Sequence, residues 1–476
     1  MVRHLITVDD FSESEITAIF ALADEYLERL APPGRPRCVR GRLNDADQFI
    51  LATLFYEAST RTRFSFESAM ARLGGQVLSS ADWKTTSAAK GESLADTIRV
   101  VQSYADVIVM RHPNEGAVRV AADFAEIPVI NAGDGGHEHP TQTLCDLYTL
   151  QREKGNLKNL NVALWGDLKN GRTVHSLVYG LARFGARIIP MAAEGFELPD
   201  HVIRRLVKDY DCQPFTVEEV GRKQQAELPV DVVYVTPEKP HSQTLYTNPQ
   251  KDCVGTLREQ FTSAELNRID ALYVTRLQKE RLDDSSSQRD YQVVDAEFVK
   301  SRLDEHSRVM HPLPRVNELG YDIDNDERAV YFKQAAYGVP VRMALLAAML
   351  RVRRDLLAKL APRKKYAIYQ PGNIRCQNPA CITRHEAEMR YLLPKFWILS
   401  EGEQLLLRCA YCESEWFPPW VGHLGQRAYQ TNAGAATGIG GAAGAVSIRP
   451  EELIVFPDEA AARSIGFQPH AVVASV

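Results

Sequence analysis

Apolar, β-favouring runs that alternate with helix-periodic runs constrain this chain more than any other feature. Residues 49–55, 107–110 and 128–131 read as buried strands, and they alternate with helical runs at 63–73, 94–103 and 142–151. Strands apolar on both faces and joined by helices belong in a parallel sheet with crossover connections. An amphipathic helix over 11–30, with Ser12 and Glu15 in capping-box spacing, precedes them. A second unit starts at 161–165, turns through Gly166-Asp167-Leu168-Lys169-Asn170-Gly171, continues as a helix over 173–184 and returns at 187–191. It lacks the GxGxxG spacing of a dinucleotide cradle. Two similar segments, 231–236 and 270–275, each predict a buried strand ending in a loop, and a long helix is expected over 339–360.

With 476 residues the chain has room for roughly three domains. Its 56 Lys and Arg against 61 Asp and Glu leave a net charge of −5, so an anionic ligand needs a local basic pocket. No apolar stretch approaches the roughly 20 residues of a membrane-spanning helix, and the start, MVRHLITVDDFSESE, lacks the apolar core of a signal peptide. A cytoplasmic protein is the expectation. Cys38, Cys145, Cys212 and Cys253 stand singly, whereas Cys376, Cys381, Cys409 and Cys412 cluster. That distribution fits a reduced compartment and one metal site better than a disulfide framework.

Ser59-Thr60-Arg61-Thr62-Arg63 follows an apolar strand and opens a helix. Free backbone N–H groups and the positive helix end favour an anion there, the hydroxyls add donors, and Arg61 supplies a planar fork for phosphate oxygens. Four more polar clusters stand at expected strand ends: Ser87-Ala-Ala-Lys90-Gly91-Glu92, Met110-Arg111-His112-Pro113, His139-Pro-Thr-Gln142-Thr and His311-Pro-Leu-Pro-Arg315. With Phe55-Tyr-Glu-Ala-Ser59-Thr-Arg-Thr-Arg63 they closely resemble the catalytic chain of the carbamoyltransferases. Gly166-Asp-Leu-Lys-Asn-Gly-Arg172-Thr-Val-His-Ser and Thr275-Arg-Leu-Gln278 narrow the resemblance to the aspartate carbamoyltransferases, over roughly residues 1–355. The Cys expected of the ornithine enzymes in the loop at His311-Pro-Leu-Pro314 is absent.

The resemblance implies two parallel-sheet α/β domains, a trimer or larger oligomer of trimers with active sites between chains, and carbamoyl transfer to aspartate in pyrimidine biosynthesis. Carried onto this sequence, Ser59, Thr60, Arg61, Thr62 and Arg111 hold the phosphate, and Ser87 and Lys90 reach in from the neighbouring subunit. His139 contacts the carbamoyl oxygen, while Gln142 and the backbone of Leu313-Pro314 orient the carbamoyl amine. Arg172, Arg276 and Gln278, with Lys90, take aspartate, because Arg pairs bidentately with carboxylates. Donors from Thr62, Arg111 and His139 suit a tetrahedral oxyanion, so no covalent nucleophile is needed. Cys145 reads as a core residue and His112, His137 and His175 as structural hydrogen-bonders. The stretch from 187 to 270 is longer than such a domain needs, and the repeated strand-like segment suggests an insertion within about 195–268.

Cys376-x4-Cys381 and Cys409-x2-Cys412 flank an apolar hairpin and together can close around a tetrahedral zinc. With Asn378-Pro-Ala-Cys381-Ile-Thr the pattern resembles the zinc domain of the aspartate carbamoyltransferase regulatory chain, which joins regulatory to catalytic subunits. The space between Leu360 and Cys376 cannot hold that chain's nucleotide-binding domain. The expected division is 1–155 for carbamoyl phosphate, 156–338 for aspartate, 339–360 as a helix returning to the first domain, 361–425 as a small four-cysteine zinc β domain, and 426–476 as a flexible Gly/Ala-rich tail, within which 451–466 has the pattern of a strand and a short helix. Two rivals remain at this stage. One is a nucleic-acid-binding zinc ribbon helped by Arg351, Arg353, Arg354, Arg363, Lys364 and Lys365, although the zinc loops carry few basic residues. The other is an inactive assembly subunit, although every motif position is filled.

Overall fold

The computed structural model describes residues 2–31, 39–82, 86–169, 171–192, 195–215, 230–236, 269–276, 293–353, 356–357, 366–371, 374–386, 391–401, 404–432 and 450–469. Strands β1 (Ile50–Phe55), β2 (Gln76–Ser80), β3 (Val107–His112) and β4 (Val129–Asp134) form a parallel sheet in the order β2-β1-β3-β4. β3 and β4 are buried along their whole length, as their uninterrupted apolar runs require. Helices α1 (Glu13–Leu30), α2 (Thr60–Leu73), α3 (Leu94–Val101), α4 (Ala117–Phe124) and α5 (Pro140–Lys154) belong to the same part of the chain. The expected capping box forms at α1, where Ser12 Oγ accepts the Glu15 N–H at 3.2 Å.

The second sheet holds β5 (Asn161–Gly166), β6 (Arg187–Ala192), β7 (Val232–Val235), β8 (Ala271–Val274) and β9 (Arg308–Met310), all parallel, in the order β6-β5-β7-β8-β9. With it go α6 (Arg172–Arg183), α7 (Asp200–Tyr210) and α8 (Ala296–Arg302). The look-alike segments are β7 and β8, side by side inside this sheet. Both are covered on two faces and need the same buried composition, while the suggested insertion falls largely on residues outside the described part. Residues 216–229 and 237–268 lie outside the described part. Gly166, at φ 97°, brings β5 so close to the Thr236 carbonyl that no Cβ fits.

The long helix is α9 (Tyr331–Met349), which begins and ends earlier than the sequence pattern suggested. Pro340 lies inside it, where a missing N–H ordinarily weakens a helix. Packing against α1, α2 and α5 outweighs that cost, and Arg351 at φ 57° turns the chain away. α9 thus returns from the second sheet to the first.

Beyond it, β10 (Ile368–Tyr369), β11 (Phe396–Glu401), β12 (Gln404–Cys409) and β13 (Glu415–Trp416) make an antiparallel sheet beside the short α10 (Ile382–His385). A further sheet follows, in the order β16-β14-β15-β17, from β14 (Trp420–His423), β15 (Ala428–Thr431), β16 (Leu453–Phe456) and β17 (Gln468–Pro469), with α11 (Glu459–Ser464). The expectation of a flexible tail from 426 is corrected for these residues. Tyr429, Phe456 and Phe467 bury themselves together, and Val421 and Val455 join the core of the cysteine module. Composition over 431–447 suggested a tail, but the flanking apolar residues form a sheet once they meet. Among the described residues no helix is long and apolar enough to cross a membrane.

Candidate active site and metal centre

Both parallel sheets point their carboxyl ends at one open cavity of about 240 Å³, the position where open α/β sheets bind ligands. β1 leads into Glu57, Ser59, Arg61 and Thr62, β3 carries Arg111 next to its last residue, and the start of α5 adds His139 and Gln142. From the other sheet come Thr275 and Arg276 after β8, and His311 to Pro314 after β9. Ser59 is the N-cap of α2, yet its hydroxyl makes no capping bond to its own helix. That end of α2 therefore faces the cavity with its donors uncommitted to a side-chain cap.

Three guanidiniums converge here from two domains. Burial, and then the nearby charges of Arg276 and Arg111, push the Arg61 pKa below its ordinary value. Arg111 is held in place by Glu57 Oε1 at 3.0 Å and by the Ala132 carbonyl at 3.1 Å. Gly133, at φ 113°, makes room for it, because a Cβ there would stand 2.8 Å from Arg111 Nη1. His139 Nδ1 accepts the Gln142 N–H at 3.3 Å, so in the neutral ring Nε2 carries the hydrogen and is a donor. Such a cavity concentrates positive charge and N–H donors around a small anionic ligand.

The structure brings Ser59, Arg61, Thr62, Arg111, His139, Gln142, Arg276, Leu313 and Pro314 to this one cavity. Thr60 opens α2 but does not line it, and Ser87 and Lys90 sit in an exposed turn elsewhere on the same chain. The Arg172 side chain and Gln278 lie outside the described residues. Sequence reasoning missed Ser65, Thr173, Gln334 and Arg342, which also line the cavity. Arg342 carried a usable signal: it interrupts an apolar helix, and it is 5% exposed with Nη1 on Ser65 Oγ at 3.0 Å. Cys145 also touches the cavity, but burial pushes its thiol up to about 11, which suits a core residue and not a nucleophile. His112 accepts the Asn114 N–H, burial lowers it to about 4, and His175 donates to the Leu168 carbonyl at 2.8 Å. Neither lines the cavity.

The four clustered cysteines form a second centre. Their sulfurs are buried and lie within 4.8 Å of one another, with 3.6 Å between Cys376 and Cys412 and 3.9 Å between Cys381 and Cys409. A tetrahedron of thiolates about 2.3 Å from a metal has edges of about 3.8 Å, so the residues fit one ion. Hydroxyls of Thr383 and Ser414 stand 3.2 Å from Cys381 and Cys376, placed to donate to thiolates.

This module is docked on its own chain. Glu115 and Ala380 to Ile382 exchange backbone hydrogen bonds at 2.9 Å, and Gly116 approaches Tyr411 too closely for any side chain. From α7, Arg204 reaches Glu415 at 2.7 Å, while the buried Arg205 joins Glu413 (2.6 Å), Glu138 (3.3 Å) and Asp9. His137, Glu138 and Glu413 have the spacing of a metal site, but the Arg205 guanidinium already supplies the cation there. Arg353 pairs with Glu25 at 3.1 Å, which draws one of the basic residues of the nucleic-acid rival into an intramolecular contact.

Comparison with known proteins agrees with this anatomy. The family described as "Aspartate/ornithine carbamoyltransferase, carbamoyl-P binding domain" matches residues 3–152, and "Aspartate/ornithine carbamoyltransferase, Asp/Orn binding domain" matches 222–349. "Aspartate carbamoyltransferase regulatory chain, metal binding domain" matches 371–416. The aspartate carbamoyltransferase catalytic subunit of Clostridium botulinum (strain Loch Maree) is 43% identical over 355 residues, 74% of this chain and 99% of that protein. That of Thermoplasma acidophilum is 40% identical over 72% of this chain and 97% of its own length. Among solved structures, the catalytic subunit of M. jannaschii aspartate transcarbamoylase superposes with a TM-score of 0.56 at 40% identity, covering 74% of this chain and all of that one. The Trypanosoma cruzi enzyme in complex with N-(phosphonacetyl)-L-aspartic acid gives 0.53 at 35% identity, over 72% and 94% of the two chains. With one cavity fed by both sheets and four cysteines gathered in a separate module, the chain belongs to the aspartate carbamoyltransferases, as a catalytic chain that carries the regulatory chain's metal-binding domain after it.

Proposed function

We propose that this enzyme joins carbamoyl phosphate and L-aspartate into N-carbamoyl-L-aspartate, for pyrimidine biosynthesis, without a covalent enzyme intermediate. The observation that carries the reading is the convergence of Arg61, Arg111 and Arg276 on one cavity. Ser59, Thr60, Arg61, Thr62 and Arg111 take the phosphate at the start of α2. His139 Nε2, with Thr62 and Arg111, stabilises the carbamoyl oxygen as the aspartate nitrogen adds to the carbonyl carbon and charge moves onto that oxygen. Gln142 and the Leu313-Pro314 backbone hold the carbamoyl amine. The tetrahedral species collapses as the C–O bond to phosphorus breaks and the phosphate leaves with the electron pair. The proton shed by the amine needs a base, and the departing phosphate is the one the step itself produces beside it.

Arg172, Arg276 and Gln278 take the aspartate carboxylates, with Lys90. Arg276→Ala should therefore raise the aspartate KM strongly, roughly 100-fold if one charge-assisted pair is lost, and leave carbamoyl phosphate binding near normal. Isothermal titration of each ligand separates the two. Equal weakening of both would contradict the division between domains.

Ser87 and Lys90 act across a subunit boundary in a trimer or an oligomer of trimers; support comes from their exposure and from their absence from the lining of their own chain's cavity. Mixing inactive Lys90→Ala and Arg61→Ala chains should restore part of the activity, because some interfaces then pair an intact cradle with an intact neighbouring turn. Absence of rescue in verified mixed trimers would mean that each site is complete within one chain. The cysteine centre takes zinc, which is structural because four thiolates leave no open coordination position, and its role is in assembly.

A further inference from the structure

Asp146 lies on α5, is 2% exposed and is not among the residues that line the cavity. Its Oδ1 accepts Gln142 Nε2 and Gln334 Nε2, both at 2.8 Å, and its Oδ2 accepts the Tyr273 hydroxyl at 2.9 Å. These three donors come from α5, α9 and β8, elements that carry different parts of the site. Gln334 passes the contact on, since its Oε1 accepts the His311 N–H at 2.9 Å and His311 Nδ1 accepts the Leu313 N–H at 2.8 Å. With Oε1 committed to an N–H, the amide of Gln334 can only present its NH2 to Asp146. Tyr273 stands on the strand that delivers Arg276. Its ring meets Tyr234 edge-on at 4.8 Å, and the Tyr234 hydroxyl reaches Thr173 Oγ1 in the cavity wall at 3.0 Å. Burial pushes the Asp146 pKa up to about 7, against the three hydrogen bonds that lower it.

We propose that Asp146 is a positioning residue that locks Gln142, the His311–Pro314 loop and the strand leading to Arg276 into one frame. Two half-sites from different sheets are useful only if the attacking nitrogen meets the carbonyl carbon in line, and a shared buried carboxylate sets that distance. No atom of substrate bonds to Asp146. The inference rests on the assignment of Gln142 and the Leu313-Pro314 loop to carbamoyl phosphate and of Arg276 to aspartate.

Asp146→Asn keeps size and shape but removes the charge, and its one oxygen and one NH2 no longer offer an acceptor to all three donors at once. The expected result, well below the unfolding temperature, is a roughly 10- to 100-fold fall in kcat, the size that a displacement of about 1 Å produces. KM for both substrates should rise, while inhibition by inorganic phosphate, which needs only the Ser59–Thr62 cradle and Arg111, stays at the wild-type constant. Tyr273→Phe cuts one arm and should raise the aspartate KM alone. In the double variant that Tyr273 effect should vanish, because the arm is already broken. A folded Asp146→Asn enzyme with wild-type kcat and KM, or one whose activity merely follows its folded fraction, would overturn the proposal. If Asp146→Asn does not fold, an unchanged aspartate KM in Tyr273→Phe overturns it instead. Wild-type kinetics in Gln142→Ala, by contrast, would remove the underlying site assignment and not the frame.

Discussion

Arg61→Ala should abolish measurable turnover while the protein keeps its fold. Arg61 stands in the first turn of α2 and lines the cavity, where the proposed reading has its guanidinium fork and the helix N–H groups meet the phosphate oxygens together. Each charge-assisted hydrogen bond contributes about 1.5–3 kcal/mol, so losing a bidentate pair lowers kcat/KM by about 100- to 10,000-fold. Stability should not suffer, because the charges nearest Arg61 include the like-charged Arg276 and Arg111 and its removal relieves repulsion. Steady-state kinetics with carbamoyl phosphate, run beside a calorimetric melting curve, measures both halves of this expectation. Arg61→Lys keeps the charge without the fork and should fall between the two. Near-normal turnover in the alanine variant would remove the phosphate cradle from α2.

Cys409→Ser should empty the cysteine centre. Cys409 ends β12 with its sulfur 1% exposed, and zinc bound to four such thiolates contributes about 10–16 kcal/mol to a small module's folding. Three remaining ligands cannot replace that. The module should then unfold, taking with it the backbone exchange at Glu115 and the pairing of Glu413 with Arg205. Metal analysis should read well below one ion per chain, and light scattering should show a smaller particle, with catalysis retained at the cavity that both parallel sheets build. Activity falling in step with metal while the oligomer stays whole would defeat the structural role of the ion. An earlier melting transition is expected for the catalytic body as well, since Arg205 then has only Glu138 and Asp9 to balance it.

Local signals were sufficient for much of this molecule. Strand runs such as 107–110 and 128–131 are apolar throughout because both faces of a parallel sheet are covered, and that requirement is written into consecutive residues. That Ser59, Arg61 and Thr62 meet at a helix start lining the cavity was legible for a similar reason, since hydroxyls and Arg stand there at adjacent positions after an apolar strand. The paired cysteines were legible because thiolates must approach one ion from short loops.

Other features depend on partners far apart in the chain, and no window of sequence contains them. α9 runs through Pro340 because α1, α2 and α5 bury it, so the proline rule yields to packing. The likeness of 231–236 and 270–275 is accounted for only by the sheet, in which both segments take neighbouring buried places. The strand and short helix expected over 451–466 form, but the sheet they join was not legible, since the apolar residues that close it stand on either side of the Gly- and Ala-rich run. Arg342 and Asp146 stand outside every motif named in the sequence. Their roles appear only where Ser65 meets the first and Gln142, Gln334 and Tyr273 meet the second. A backbone preference or a ligand motif acts over a few residues and can be read in order, whereas a buried polar group is accounted for only by the donors that the fold carries to it.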